Sequence, residues 1–130
     1  MSKILIADDS RFQLELLSKS LVGQGFEVAS ALDALQAWMT ALRTAPDAIV
    51  LDINMPGGSG IEVLRRLKIS TKTQHIPVIV VSGSTDPLIE GLAMSCGAAG
   101  FFHKPVDPNQ LCDVLSRLLS PASLTTTPGP

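Results

Sequence analysis

Apolar positions along this chain follow two alternating rhythms. Short blocks that are apolar at nearly every position have the length of strands: Lys3 to Ala7, Phe26 to Ala29, Ala48 to Leu51, Val78 to Val81 and Gly100 to Phe102. Between them apolar residues return at intervals of three and four, which marks one face of a helix. Leu14, Leu17 and Leu21 form the first such stripe, Leu35, Met39 and Leu42 the second, and Ile61, Leu64 and Leu67 the third. Each stripe is predicted to be buried. The segments DPLIEGLAMSCG and DPNQLCDVLSRLLS both open with Asp followed by Pro. The Asp accepts hydrogen bonds from the free N–H groups of a first turn, and Pro is well tolerated at the first helical position. They are helices four and five, so the predicted order is βαβαβαβαβα.

The first, third and fourth strands are apolar on both faces, as strands of a parallel sheet covered by helices on each side must be. The expected architecture is a doubly wound α/β domain with a five-stranded parallel sheet. A chain of 130 residues suits one such domain, here residues 1–119. Residues 120–130, SPASLTTTPGP, are poor in large apolar side chains and rich in Pro and Thr, and are expected to be a disordered tail or the start of a linker.

Composition narrows the function classes. Charged residues make up 17% of the chain, against about 25% in typical domains, which leaves more uncharged surface for a partner. A net charge of −2 without a dense Lys/Arg run speaks against direct binding to nucleic acid or to an anionic membrane. Cys96 and Cys112 lack metal-site spacing, and MSKILIADD has no apolar stretch long enough for a signal peptide or a span. A cytoplasmic location is the expectation. His75 and His103 read as surface residues, and Trp38 and the methionines as packing or interface residues.

In open parallel α/β sheets ligands bind beyond the carboxyl ends of the strands. Asp8 and Asp9 end the first strand, Asp52 the third and Ser82 the fourth, while Lys104 follows the fifth. Taken singly, an Asp pair is a turn or a cap, Ser82 a backbone hydrogen-bond partner and Lys104 a solvated charge. Jointly they bring three carboxylates to one edge, where mutual repulsion requires a compensating cation. Mg2+ meets that need, because it takes oxygen ligands and keeps several waters. Beside such an ion and the Lys104 ammonium, Asp52 can attack a phosphoryl donor and hold an acyl phosphate, with Ser82 donating a hydrogen bond to it.

At these residues the chain resembles the receiver domain of two-component response regulators. ILIADDS, IVLDINMPGGSG, PVIVVSG and FFHKPVD stand in the family's order between Lys3 and about Leu119. The resemblance implies a (βα)5 flavodoxin-like fold, similar to the chemotaxis regulators, with strand order 2-1-3-4-5. It also implies that Asp52 is the phosphoacceptor and that the metal set is Asp9 directly, Asp8 through water, Asp52, and Asn54 through its backbone carbonyl. Ser82 would be the switch hydroxyl, Phe101 the switch aromatic, and Lys104 the phosphate contact, joined to Pro105 by a cis bond. MPGGSG would be a loop that closes over the acids, and Gly83, where many relatives carry Ala, would leave access open. Phe101 lacks a phenolic hydroxyl, so its signal must travel through packing.

The resemblance makes the domain a regulator and not an enzyme, apart from its own phosphorylation and dephosphorylation. Its implied partners are a sensor histidine kinase or phosphotransfer protein, and an output domain, partner protein or second copy on the face of helix four, strand five and helix five. Between Pro87 and Phe102 the only charged side chain is Glu90, which suits a contact face. One alternative is a receiver-like interaction module that is never phosphorylated. Another is an Asp-dependent Mg2+ phosphatase, which would need an acidic group where Asn54 stands.

Overall fold

The computed structural model describes residues 1–55 and 58–120. Its elements run β1 (Lys3–Ala7), α1 (Arg11–Gly23), β2 (Glu27–Ala31), α2 (Ala34–Thr44), β3 (Ala48–Asp52), β4 (Asn54–Met55), β5 (Gly58–Ser59), α3 (Gly60–Ile69), β6 (Val78–Ser82), α4 (Pro87–Ser95), β7 (Gly100–His103) and α5 (Pro108–Leu119). The five long strands pair in parallel in the order β2-β1-β3-β6-β7, which is 2-1-3-4-5 when they alone are counted. The two-residue strands β4 and β5 form a separate antiparallel ladder, Asn54 opposite Ser59 and Met55 opposite Gly58. They take in Met55, Gly58 and Ser59 of MPGGSG, the segment expected to be a loop closing over the acids. Residues 56–57 and the expected tail from residue 121 lie outside the described residues.

Alternation along each strand divides the core into two layers, because successive side chains point to opposite faces. Ile4, Ile6, Val50, Ile79 and Val81 meet Leu14, Leu17 and Leu21 of α1 and Leu111 and Leu115 of α5. Leu5, Ala7, Ile49, Leu51, Val78 and Val80 meet α2, α3 and Ala93 of α4 on the other side. Both faces of β3 and β6 are thereby covered, and every residue of these two strands is buried. Each helix begins at a short polar side chain that accepts a backbone N–H of its first turn: Ser10, Asp33, Ser59, Asp86 and Asp107. Both Asp-Pro starts are where the sequence placed them.

The second stripe is a correction. Leu35, Met39 and Leu42 face outward, at 63%, 53% and 37% exposure, while Ala34, Ala37, Thr40 and Ala41 face the sheet. Both sets have spacings of three and four, so periodicity alone could not choose between them. The connection from β2 leaves only Leu32 before the Asp33 cap, and the Leu32 N–H donates to Gln36 Oε1 over 2.9 Å, which fixes the rotational phase of α2. The small residues then allow a close approach to the sheet. Trp38 packs against the rim of this layer, with the Arg66 guanidinium of α3 over its ring at 5.1 Å.

One glycine is required by the junction between the acidic edge and α3. A Cβ on Gly60 would lie 2.5 Å from the Asp52 carbonyl oxygen and 2.6 Å from Ile53 Cα, and the Gly60 N–H donates to the Ile53 oxygen over 2.9 Å. The first turn of α3 therefore rests directly on the backbone that carries Asp52.

Urea unfolding of dilute protein should separate the two kinds of stripe. Leu64→Ala should cost about 2–5 kcal/mol, whereas Leu35→Ala should stay within about 0.5 kcal/mol of the parent; an equal loss in both would mean that the α2 stripe is buried. Gly60→Ala should cost about 1–3 kcal/mol by forcing main chain apart, read from the same midpoint shift.

Candidate functional site

Four strand ends build one edge. Asp8 follows β1 directly. Its N–H donates to the Ala31 carbonyl at the end of β2 over 3.0 Å, and its Oδ1 accepts the Ser10 N–H over 2.9 Å, so the turn into α1 holds the carboxylate in place. Asp52 is the last residue of β3, and the next N–H, that of Ile53, donates to Val81 of β6 over 3.0 Å. Its Oδ1 accepts the Asn54 N–H over 3.1 Å. Ser82 ends β6 and is fully buried; its carbonyl accepts the Lys104 N–H over 2.8 Å, and its hydroxyl oxygen accepts the Ser84 N–H over 3.0 Å.

That backbone contact carries Lys104 back to the acids. Its Nζ lies 3.0 Å from Asp52 Oδ2 and 3.2 Å from Asp8 Oδ2, and the Lys104–Pro105 bond is cis. One carboxylate oxygen from each of Asp8, Asp9 and Asp52 lies within 4.8 Å of the others. Asp8 and Asp52 are buried, while Asp9 is exposed. Burial pushes the Asp52 carboxyl up from its ordinary value, and the charge of Asp8 acts in the same direction. The Asn54 N–H and Lys104 oppose that rise. Burial alone would lower Lys104, but the two carboxylates outweigh it and hold the ammonium above its ordinary value.

Three carboxylates against one ammonium leave two negative charges uncompensated among the described residues here. The donor set is all oxygen, and exposed Asp9 opens the cluster to water. A small divalent cation of the Mg2+ type fits both the charge and the chemistry.

Of the residues singled out in the sequence, Asp8, Asp9, Asp52 and Lys104 come together directly. Asn54 contributes an N–H to Asp52, and Ser82 lies on the same edge. A Cβ on Gly83 would meet only the Lys104 stem, at 3.8 Å, so an alanine there would also fit. Phe101 is half-buried against the core layer of α2, α3 and α4. Its ring meets that of His103 edge-on, with centroids 5.1 Å apart, and His103 Nε2 lies 3.7 Å from Glu90 Oε1 of α4. His103, read from the sequence as a plain surface residue, therefore connects the aromatic to α4 and pairs in register with Ser82. The Glu90 contact joins two elements and has no local signal, whereas Phe101 and His103 stand two apart on β7 and share one face of that strand.

Comparison with known proteins agrees with the geometry. Residues 4–116 match the response regulator receiver domain. The chain is 38% identical over 108 residues to response regulator PleD of Caulobacter vibrioides, covering 82% of this chain and 23% of that protein. It is 32% identical over 109 residues to the DNA-binding response regulator MtrA of Mycobacterium leprae, covering 84% of this chain and 47% of the relative. The chain thus spans less than half the length of these curated relatives. Among solved structures, Vibrio cholerae chemotaxis protein CheY4 superposes with a TM-score of 0.84 at 30% identity, over 92% of this chain and 99% of that one. The signal receiver domain of a signal transduction histidine kinase from Syntrophus aciditrophicus gives 0.87 at 31% identity, over 100% and 98%. No helix among the described residues is long and apolar enough to cross a membrane. Phosphorylation on an aspartate is the general mechanism of these regulators, which generally bind Mg2+ in an acidic pocket. Sequence, sheet order and strand-end chemistry converge, and the chain belongs to the response regulator receiver domains of two-component signalling.

Proposed function

We propose that Asp52 is the phosphoacceptor, supplied by a sensor histidine kinase or a phosphotransfer protein. The observation that carries this reading is the Lys104 ammonium, 3.0 Å from Asp52 and 3.2 Å from Asp8. Asp8, Asp9, Asp52 and the Asn54 carbonyl would hold Mg2+, which when bound neutralises charge on the phosphoryl oxygens. An Asp52 oxygen attacks phosphorus, the bond from phosphorus to the donor breaks, and the leaving group departs with that electron pair. Lys104 then shifts its contact from the carboxylate to the phosphoryl oxygens, and Ser82 donates its O–H to them. Water later cleaves the acyl phosphate and restores the carboxylate. Asn54 carries an amide, which does not serve as the general acid that a phosphatase would need at that position.

The readout passes from Ser82 to β7 and α4. Ser82 faces His103 in the ladder, His103 touches Phe101, and Glu90 reaches His103 from α4. On α4 only Ala93 is buried, while Leu88, Leu92 and Met94 are exposed. This supports α4, β7 and α5 as the face that meets an output domain or partner protein, and it weighs against a buried α4. The location would be cytoplasmic, where such kinases deliver their phosphate.

With acetyl phosphate and Mg2+, intact-protein mass spectrometry should show one added phosphoryl group, and Asp52→Asn should show none. Lys104→Met should slow labelling by about 10²-fold. Persistent labelling of the Asp52 variant would remove the assignment. Separately, Mg2+ should raise the thermal midpoint of the parent in a concentration-dependent way, and Asp9→Ala should lose most of that gain; an unchanged gain would place the ion elsewhere.

A further inference from the structure

Helix α4 and strand β7 meet through a charged contact that the phosphoryl chemistry does not itself use. Glu90 is the only charged side chain between Pro87 and Phe102, and its Oε1 lies 3.7 Å from Nε2 of His103 at the end of β7. The same imidazole meets the ring of Phe101 edge-on, two residues back on one face of the strand. The other charged groups nearby leave this pair to itself. Asp86, one turn before Glu90, caps α4 at the Leu88 N–H, and its charge has the same sign as that of Glu90. Lys104 follows His103, but its ammonium is turned to Asp52 and Asp8. Strand β6 carries no charge and sets Ser82 opposite His103. Asp107 caps α5 at the Asn109 N–H, and Asp113 and Arg117 belong to that helix, which packs with Phe102 on the other core layer.

A histidine and a glutamate attract as ions only when the imidazole is protonated. Imidazoles gain that charge as the pH falls through about 6.5, whereas carboxylates stay ionised down to about pH 4. The contact is therefore an ion pair at mildly acid pH and loses its electrostatic part at mildly alkaline pH. It occurs in an arrangement in which Lys104 contacts the carboxylates directly and Phe101 is half-buried. We propose that Glu90 and His103 form a proton-operated clasp between α4 and β7, which favours the unphosphorylated arrangement and so blunts the response of the domain at acid pH. The regulatory half rests on the readout through β7 and α4 proposed above, and the clasp itself does not. An exposed pair contributes little, so the clasp modulates the switch by a few-fold and does not gate it. Because the coupling is reciprocal, release of the clasp must favour the phosphorylated form by the factor that phosphorylation weakens the clasp.

A double-mutant cycle of Glu90→Gln and His103→Gln in the 130-residue chain, read from urea midpoints, tests the clasp without any phosphoryl group. The two changes should couple at about pH 5.5 and act additively at about pH 8; His75 is present in all four proteins and cancels. Calorimetric titration with beryllofluoride and Mg2+, a stable mimic of a phosphoryl group on a carboxylate, tests the regulation. Glu90→Gln should bind it about two- to five-fold more tightly than the parent at about pH 5.5 and no more tightly at about pH 8. Comparing two proteins at one pH cancels the titration of Asp52 and of the reagent. Additivity at both pH values, or coupling that persists unchanged at about pH 8, would overturn the clasp. An affinity ratio that does not change with pH would overturn the regulation. A parent that binds no beryllofluoride, or binding retained in Asp52→Asn, would instead overturn the phosphoacceptor reading and the regulatory half with it, while the cycle would still decide the clasp.

Discussion

The ion pair network around Lys104 is the constraint on which the working edge depends. Asp8 and Asp52 are buried at the ends of adjacent parallel strands, where burial and the charge of Asp8 both raise the cost of ionising Asp52. Lys104, just past the end of β7, offsets that cost, and its own N–H is held by the Ser82 carbonyl. One side chain thus ties the first, third and last of the long strands to a common electrostatic problem. The charge that remains uncompensated suits the edge to a divalent cation.

Much of this was legible in the sequence, because the relevant signals are local. Fully apolar blocks mark strands covered on both faces, and Val78 to Ser82 could hardly be anything else. Asp-Pro marks a helix start, and both examples are observed with the Asp side chain accepting a first-turn N–H. The site was legible for a topological reason: in a parallel sheet every strand ends on the same side, so polar residues at strand ends converge whatever their separation in sequence. Asp52 and Lys104 are 52 residues apart and still meet.

What was not legible depends on phase and on pairs. In α2 two interleaved stripes share one period, and the larger side chains suggested burial for Leu35, Met39 and Leu42; the alanine face lies on the sheet instead. Counting apolar residues favours bulk, whereas a short connection and a cap select the face that lets the helix approach closely. The contact of His103 with Glu90 is a pairwise fact of tertiary structure, and neither residue carries any mark of it in its own neighbourhood. The two-residue β4 and β5 ladder is too short to show a period at all.

The position of β7 at the rim of the sheet has a mechanical consequence. Asp52 sits on a strand bonded on both sides, while Phe101 sits on one bonded only to β6. On the proposed assignment the chemistry would be anchored on a strand laddered on both sides, and its response would fall on one laddered on a single side. A displacement of the outer strand has to break one ladder, not two, so a small electrostatic event at the centre can be expressed as movement at the periphery while the middle of the domain stays still.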